Sequence, residues 1–296
     1  MGAFDLVKAT VREFLDDRCP SMAAAIAYYS VFALPPLLIL VLTLIGTMAD
    51  ADDAQARIVG EVRALVGADA GELVQSMIRA GAKQRSGAAA VLGGLALLFG
   101  ATGAFMQLQA ALNDAWDVPH EQRASGIRGM LLKRVLSLGM VLAIGFLLLV
   151  SMMLSALLAA AGDVAALLLP AAWSGTLLRV AQVGVSLVLM TVLFSAIFQV
   201  LPDVRIAWRD VLLGGFATAL LFEAGKLVLS IYLGHSEPGS AFGAAGALAA
   251  LLVWIYYSAI ILLLGAEFTQ VWTRRRGSSA AGASAAVPRG SGTSAR

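Results

Sequence analysis

Five stretches of this chain run for a full membrane crossing without one Asp, Glu, Lys or Arg: 20–49, 86–113, 135–162, 180–202 and 238–266. A sixth, 211–233, is broken only by Glu223 and Lys226. About 20 apolar residues in helical form cross the roughly 30 Å hydrocarbon layer of a bilayer. A chain with six such windows has few soluble solutions. Lipid offers no partner for backbone N–H and C=O groups, so each window must satisfy its own, as a helix does. The expected architecture is therefore all-α: a polytopic membrane protein with a six-transmembrane-helix bundle, spans near 28–48, 88–108, 136–158, 180–200, 211–233 and 246–268. Composition agrees, with 59% hydrophobic and 14% charged residues against about 25% charged in average soluble chains. The uncharged stretch 164–178, with Pro170 and Gly175, is too short to span and reads as an interfacial elbow.

The chain divides into an N-terminal segment, 1–20, a membrane domain, 21–273, and a Gly/Ser/Ala tail, 274–296, that reads as disordered. The N-terminal segment lacks the pattern of a cleaved signal peptide. Lys and Arg favour the cytoplasmic side of short loops. Placing both termini in the cytoplasm puts Lys8, Arg12, Arg18, Arg123, Arg128, Lys133, Arg134, Arg205, Arg209 and Arg274–Arg276 inside. It leaves segments 159–178 and 234–245 without a basic residue outside, apart from Arg179 at the border. The exception is the long outer segment 49–87, where basic and acidic residues balance. Ile58, Val62, Leu65 and Val66, then Leu73, Val74, Met77 and Ile78, recur there at helical spacing, with Gly67 and Gly71 between them. The period predicts an extracytoplasmic amphipathic helical hairpin.

Four features bear on chemistry. Glu223 and Lys226 are three apart, so they share a helix face near the middle of the fifth span. A charge there costs about 3 kcal/mol on insertion scales, so the pair must face the bundle interior or water. Two readings stay open: a polar site for a proton, ion or head group, or an internal ion pair that locks packing. Glu267, at the inner end of the last span, is expected to clamp Arg209 at the interface. Pro35 and Pro36 interrupt the first span, so Tyr28 to Pro36 borders a pathway or marks a packing kink. Gln109 and Asn113, four apart, share a face where the second span ends, with head-group contact as the alternative to simple helix exit.

Other chemistry finds no support. The chain has no P-loop, HExxH or paired CxxC motif. Its single cysteine, Cys19, has no intrachain disulfide partner. His120 and His235 fall on opposite sides of the membrane in this topology. No catalytic residues, metal or cofactor are expected, and a net charge of +2 gives no basic surface for nucleic acid.

The stretches AAAIAYYSVFALPPLLIL (23–40), ATGAFMQLQAALNDAWDV (101–118), QVLPDVRIAWRDVLLGGFATALLFEAGKLVLSIYL (199–233) and FGAAGALAALLVWIYYSAIILLLGAEFTQVW (242–272) together resemble the YihY/BrkB family of bacterial inner-membrane proteins. The resemblance implies six spanning helices and a bacterial inner-membrane location. It carries an old label of tRNA-processing ribonuclease that these residues do not support. The function expected is a transporter or translocation component for a lipid or other amphiphile or solute, with a non-catalytic envelope scaffold as the alternative. Expected partners are membrane lipids and a second copy or an envelope protein.

Overall fold

The structure, a computed structural model, describes residues 3–45, 51–66, 68–83, 103–119, 171–204, 206–235 and 244–285, with Gly139 besides. Among these residues all regular structure is helical: α1 (Ala3–Asp16), α2 (Cys19–Ile45), α3 (Ala51–Val66), α4 (Ala68–Lys83), α5 (103–115), α6 (Ala171–Val200), α7 (Trp208–His235) and α8 (Ala244–Ala285). Most of the expected second span and all of the third except Gly139 lie outside the described residues, as do His120 and the tail beyond 285.

Two helical stretches are long and apolar enough to cross a membrane, Val180–Val200 with mean hydropathy 2.2 and Ala245–Arg276 with mean hydropathy 2.4. Only 22% and 33% of their apolar windows are buried. The core helix of a soluble protein would hide most of its surface; these turn it outward. Val183, Val188 and Val192 of α6 and Leu212, Phe216 and Leu220 of α7 are exposed in the same way. In water such a belt would drive aggregation. In lipid it is the solvated surface.

The principal core lies where α1, α2, α5, α6, α7 and α8 meet. Phe14, Cys19, Ile26, Leu112, Phe198, Leu201, Val211 and Leu263 pack there. Helices α7 and α8 cross closely. A Cβ added at Gly214 would fall 1.8 Å from Thr269 Oγ1, and one at Gly265 would fall 1.9 Å from Thr218 Oγ1. Both threonines donate to carbonyls of their own helix, Thr218 to Gly214 O at 2.7 Å and Thr269 to Gly265 O at 2.6 Å. Their hydroxyls are thus satisfied locally, and the crossing needs only small residues for close approach.

Two decorations sit at opposite ends of α8. The α3–α4 hairpin buries Val59, Val74 and Ile78 between its arms and sets Ala70 against Ala250, beside Trp254. Gly71 lies inside α4 rather than between the helices. At the other end Arg275 donates to Asp5 O of α1 at 2.8 Å. Trp254 and Arg274 are separated by roughly 30 Å of helix at 1.5 Å per residue, the thickness of the hydrocarbon layer. Arg18, in left-handed geometry with φ 53°, ends α1 and turns the chain into α2; its carbonyl accepts from the N–H of Ser21 and Met22 at 2.9 and 3.2 Å.

Three expectations need correction. Helix α2 runs through Pro35 and Pro36 as one element, so the prolines do not interrupt it. Two lost donors are a smaller penalty in lipid than an unwound segment with every group unpaired. The elbow drawn over 164–178 is helical from Ala171 onward. Helix α8 continues to Ala285, past the point where a disordered tail was expected. Adding alanine-rich residues to an existing helix avoids the costly nucleation step.

Candidate functional site

Glu223 sits about 22 Å along α7 from Trp208, at 1.5 Å per residue, near the helix midpoint. Lys226 Nζ lies 2.7 Å from Glu223 Oε2 and donates to Oε1 at 2.8 Å. The helical spacing alone makes this contact possible. The rest of the environment comes from Phe222 of the same helix and from neighbouring helices. Ser186 Oγ of α6 donates to Glu223 Oε1 at 2.5 Å, and the Lys226 ammonium stands 5.8 Å from the Phe222 ring centroid, within cation–π range. Phe222 packs edge-on to Phe194 and Trp254, with centroids 5.8 and 6.2 Å away. Tyr257 of α8 closes this wall: a Cβ at Gly225 would fall 1.0 Å from its hydroxyl oxygen. The Glu223 and Lys226 side chains keep 19% and 23% of their surface open. They form a half-sheltered ion pair with a hydroxyl donor and an aromatic wall.

Ser186 was not singled out in the sequence. A serine inside an apolar window is a faint signal, because most serines in spanning helices bond their own backbone. Tyr28, 58% exposed, meets Tyr29 edge-on and Phe32 at a tilt, with centroids 5.7 and 4.9 Å away. It belongs to the outward apolar surface, while Tyr29 lies on Gly103.

Glu267 and Arg209 are not brought together. Arg209 is exposed, and its neighbour Asp210 turns inward to pair with Arg276 at 3.0 Å. Glu267 is fully buried. Its Oε1 accepts from the Cys19 thiol at 3.4 Å; its Oε2 has no hydrogen-bond donor among the described residues. The Asp17 carboxyl is its neighbour within hydrogen-bonding reach. Burial, and then the Asp117 carboxylate, hold Asp17 above the ordinary 3.8.

Around these groups the α1 end is tied together by polar contacts. Asn113, buried, receives the Asp203 N–H on its Oδ1 at 2.8 Å and donates to Asp203 Oδ2 at 3.0 Å. Gln109 donates to Leu201 O at 3.1 Å. Both amides thus hold the 201–203 corner, and neither faces head groups. Asp117, left-handed at φ 47°, closes α5 with the Val118 N–H bonded back to Asn113 O at 2.9 Å, the six-to-one bond of a helix end. Its carboxylate accepts from Gln270 at 2.8 Å and pairs with Arg274. An open cleft of about 380 Å³ lies beside it, lined by Asp16, Asp17, Arg18, Asp114, Asp117 and Val118.

Helices that turn an apolar face outward while sheltering an acid–base pair define an integral membrane protein of the helical class. Residues 10–289 match the virulence factor BrkB family, and the chain belongs to it. It is similar to a UPF0761 membrane protein of Pseudomonas paraeruginosa, 29% identical over 283 residues, which cover 92% of this chain and 65% of that one. A UPF0761 membrane protein of Alkalilimnicola ehrlichii is 30% identical over 270 residues, 90% of this chain and 58% of its own. The chain thus spans less than two thirds of these relatives. A Bacillus subtilis protein described as ribonuclease-like, YfkH, is 26% identical over 263 residues, 86% of this chain and 90% of its own. No solved structure matches.

Proposed function

We propose that this protein is a six-span inner-membrane transporter or translocation component for a lipid-like amphiphile or another solute, with both termini in the cytoplasm and Glu223 and Lys226 at its working centre. The observation that carries this reading is the ion pair at mid-helix in α7, bonded to Ser186 of α6 and walled by Phe222, Trp254 and Tyr257. Ionisable groups at that depth are costly and characteristically mark pathways. The pair is neutral overall, bipolar and partly open. The aromatic wall suits an apolar body, and the two charges suit a polar head of either sign.

Helices α2, α6, α7 and α8 supply four spans of this arrangement, and 88–108 and 136–158 supply the others. Helix α1 fits a position on the cytoplasmic surface. Phe4, Val7, Val11 and Leu15 form an exposed stripe along it, and Lys8 and Arg12 stand beside that stripe where anionic head groups would meet them.

The test is transport by protein reconstituted in vesicles, with fluorescent phospholipids and labelled small solutes as cargo. The variant carrying both Glu223→Gln and Lys226→Met, which strands no unpaired charge, is expected to lower the rate at least tenfold while keeping most of the folded yield. Undiminished transport in this variant would remove the pair from the pathway. Absence of transport, together with a stably co-purifying envelope protein, would favour a scaffold. Metal-dependent tRNA cleavage by the purified protein would favour the ribonuclease reading.

A further inference from the structure

We propose that Asp17 and Glu267 form a proton-binding site at the α1 end of the bundle, in which the two carboxyl groups hold one proton between them and the adjoining cleft connects it to water. The site is separate from the Glu223–Lys226 pair and does not depend on its role.

Glu267 poses the problem. It is wholly buried, yet its only donor among the described residues is a thiol, a weak one, on Oε1. Its second oxygen has none. The neighbour within reach is another carboxyl, Asp17, which when ionised can only accept. Two carboxylates at this range disfavour double ionisation, and burial adds to the penalty. One proton resolves both defects: it supplies the donor that Oε2 lacks and removes one of the two charges.

The surroundings favour its retention. Glu13 of α1 and Asp114 and Asp117 of the 103–119 segment add negative charge. Cys19 of α2 is neutral as a thiol. Of the basic groups at this end, Arg12 pairs with Asp16 at 3.4 Å, Arg18 stands on the cleft wall, Arg274 pairs with Asp117 and with Glu13 at 3.9 Å, Arg275 donates to Asp5 O and Arg276 pairs with Asp210. Each of these bonds goes to a group other than Asp17 and Glu267. A metal ion is a poorer occupant: among the described residues no three His, Cys, Asp or Glu side chains are arranged to hold one, whereas a proton needs only two oxygens. The cleft reaches Asp17 but not Glu267. The order is therefore water, Asp17, Glu267. A proton arriving from water binds Asp17 and passes along the hydrogen bond to Glu267, taking the pair from two negative charges to one; release reverses the step.

Difference infrared spectroscopy on the full chain in lipid vesicles tests this. The expected result is a protonated-carboxyl C=O band that persists at about pH 7, well above the usual range near 4 for carboxylates. Either Asp17→Asn or Glu267→Gln should remove it, because the amide supplies the missing donor. Cys19 is the single cysteine, so the S–H stretch has one source. As the thiol bonds to Glu267, its frequency should shift with the same pH midpoint as the carboxyl band, which gives a readout needing no variant. No protonated carboxyl at neutral pH, a band untouched by both substitutions, or an S–H frequency that ignores the titration would overturn the proposal.

Discussion

Lys226→Met is expected to destabilise the folded protein by on the order of 3 kcal/mol, and adding Glu223→Gln should return most of that loss. The single substitution leaves Glu223 ionised in mid-helix with Ser186 as its remaining donor. Removing one partner of a buried pair costs about 3–5 kcal/mol, because the other charge stays desolvated; insertion scales give about 2.5–3.5 kcal/mol for a lone charge at helix centre. The lower part of this range applies, since the Ser186 hydroxyl still bonds the carboxylate and about a fifth of the pair's surface is open. The double variant carries no charge at either position, and the amide oxygen introduced at position 223 can still accept from Ser186. Unfolding in mixed detergent micelles, read by helical circular dichroism, would measure both. A single variant as stable as the wild type would show that Glu223 reaches water and is not sheltered by the bundle. The comparison also separates structure from activity: restored stability without restored transport would leave the pair with a chemical task beyond packing.

The sequence shows depth far better than direction. Apolar windows locate α7, the Val180–Val200 part of α6 and the apolar part of α8 within a few residues, because transfer into lipid follows composition; the first turns of α6, from Ala171, were missed. The hairpin is legible for the same kind of reason: Val74 and Ile78 fall on the predicted apolar period, whereas Val59, buried with them, lies one residue off the Ile58–Val62 row. Which way a side chain faces inside the bundle is decided by helix rotation, and one residue is about 100° of turn. Arg209 was assigned to Glu267 by depth, yet it faces outward while Asp210 meets Arg276. The α1 end is hidden for a second reason. Cys19 and Glu267 are 248 positions apart, and Asn113 and Asp203 are 90 apart. No local pattern announces such pairs. The one hint was that the stretches containing Asn113, Asp203 and Glu267 are those that carry the family resemblance.

Gly215→Leu is expected to abolish the folded protein, and even Gly215→Ala to destabilise it by about 1–3 kcal/mol, the usual range for overpacking. A Cβ at Gly215 of α7 would stand 2.2 Å from Ser195 Oγ and 2.9 Å from both Ser195 N and Thr191 O. The serine hydroxyl can rotate away, at the loss of its bond to Val211 O at 3.3 Å. The backbone atoms of α6 cannot, so the two helices must move apart. Gly184 of α6 is the control: nothing lies within 4 Å of a Cβ there, and alanine should be neutral or stabilise by up to about 1 kcal/mol through its higher helix propensity. Thermal midpoints of the two alanine variants in detergent decide the matter, and equal midpoints would show that α6 and α7 do not meet as closely as their backbones indicate. The consequence reaches the ion pair, because Ser186 and Glu223 lie on these same two helices. Separation at Gly215 draws the hydroxyl away from the carboxylate, so Gly215→Ala should also slow transport while every charged residue remains in place.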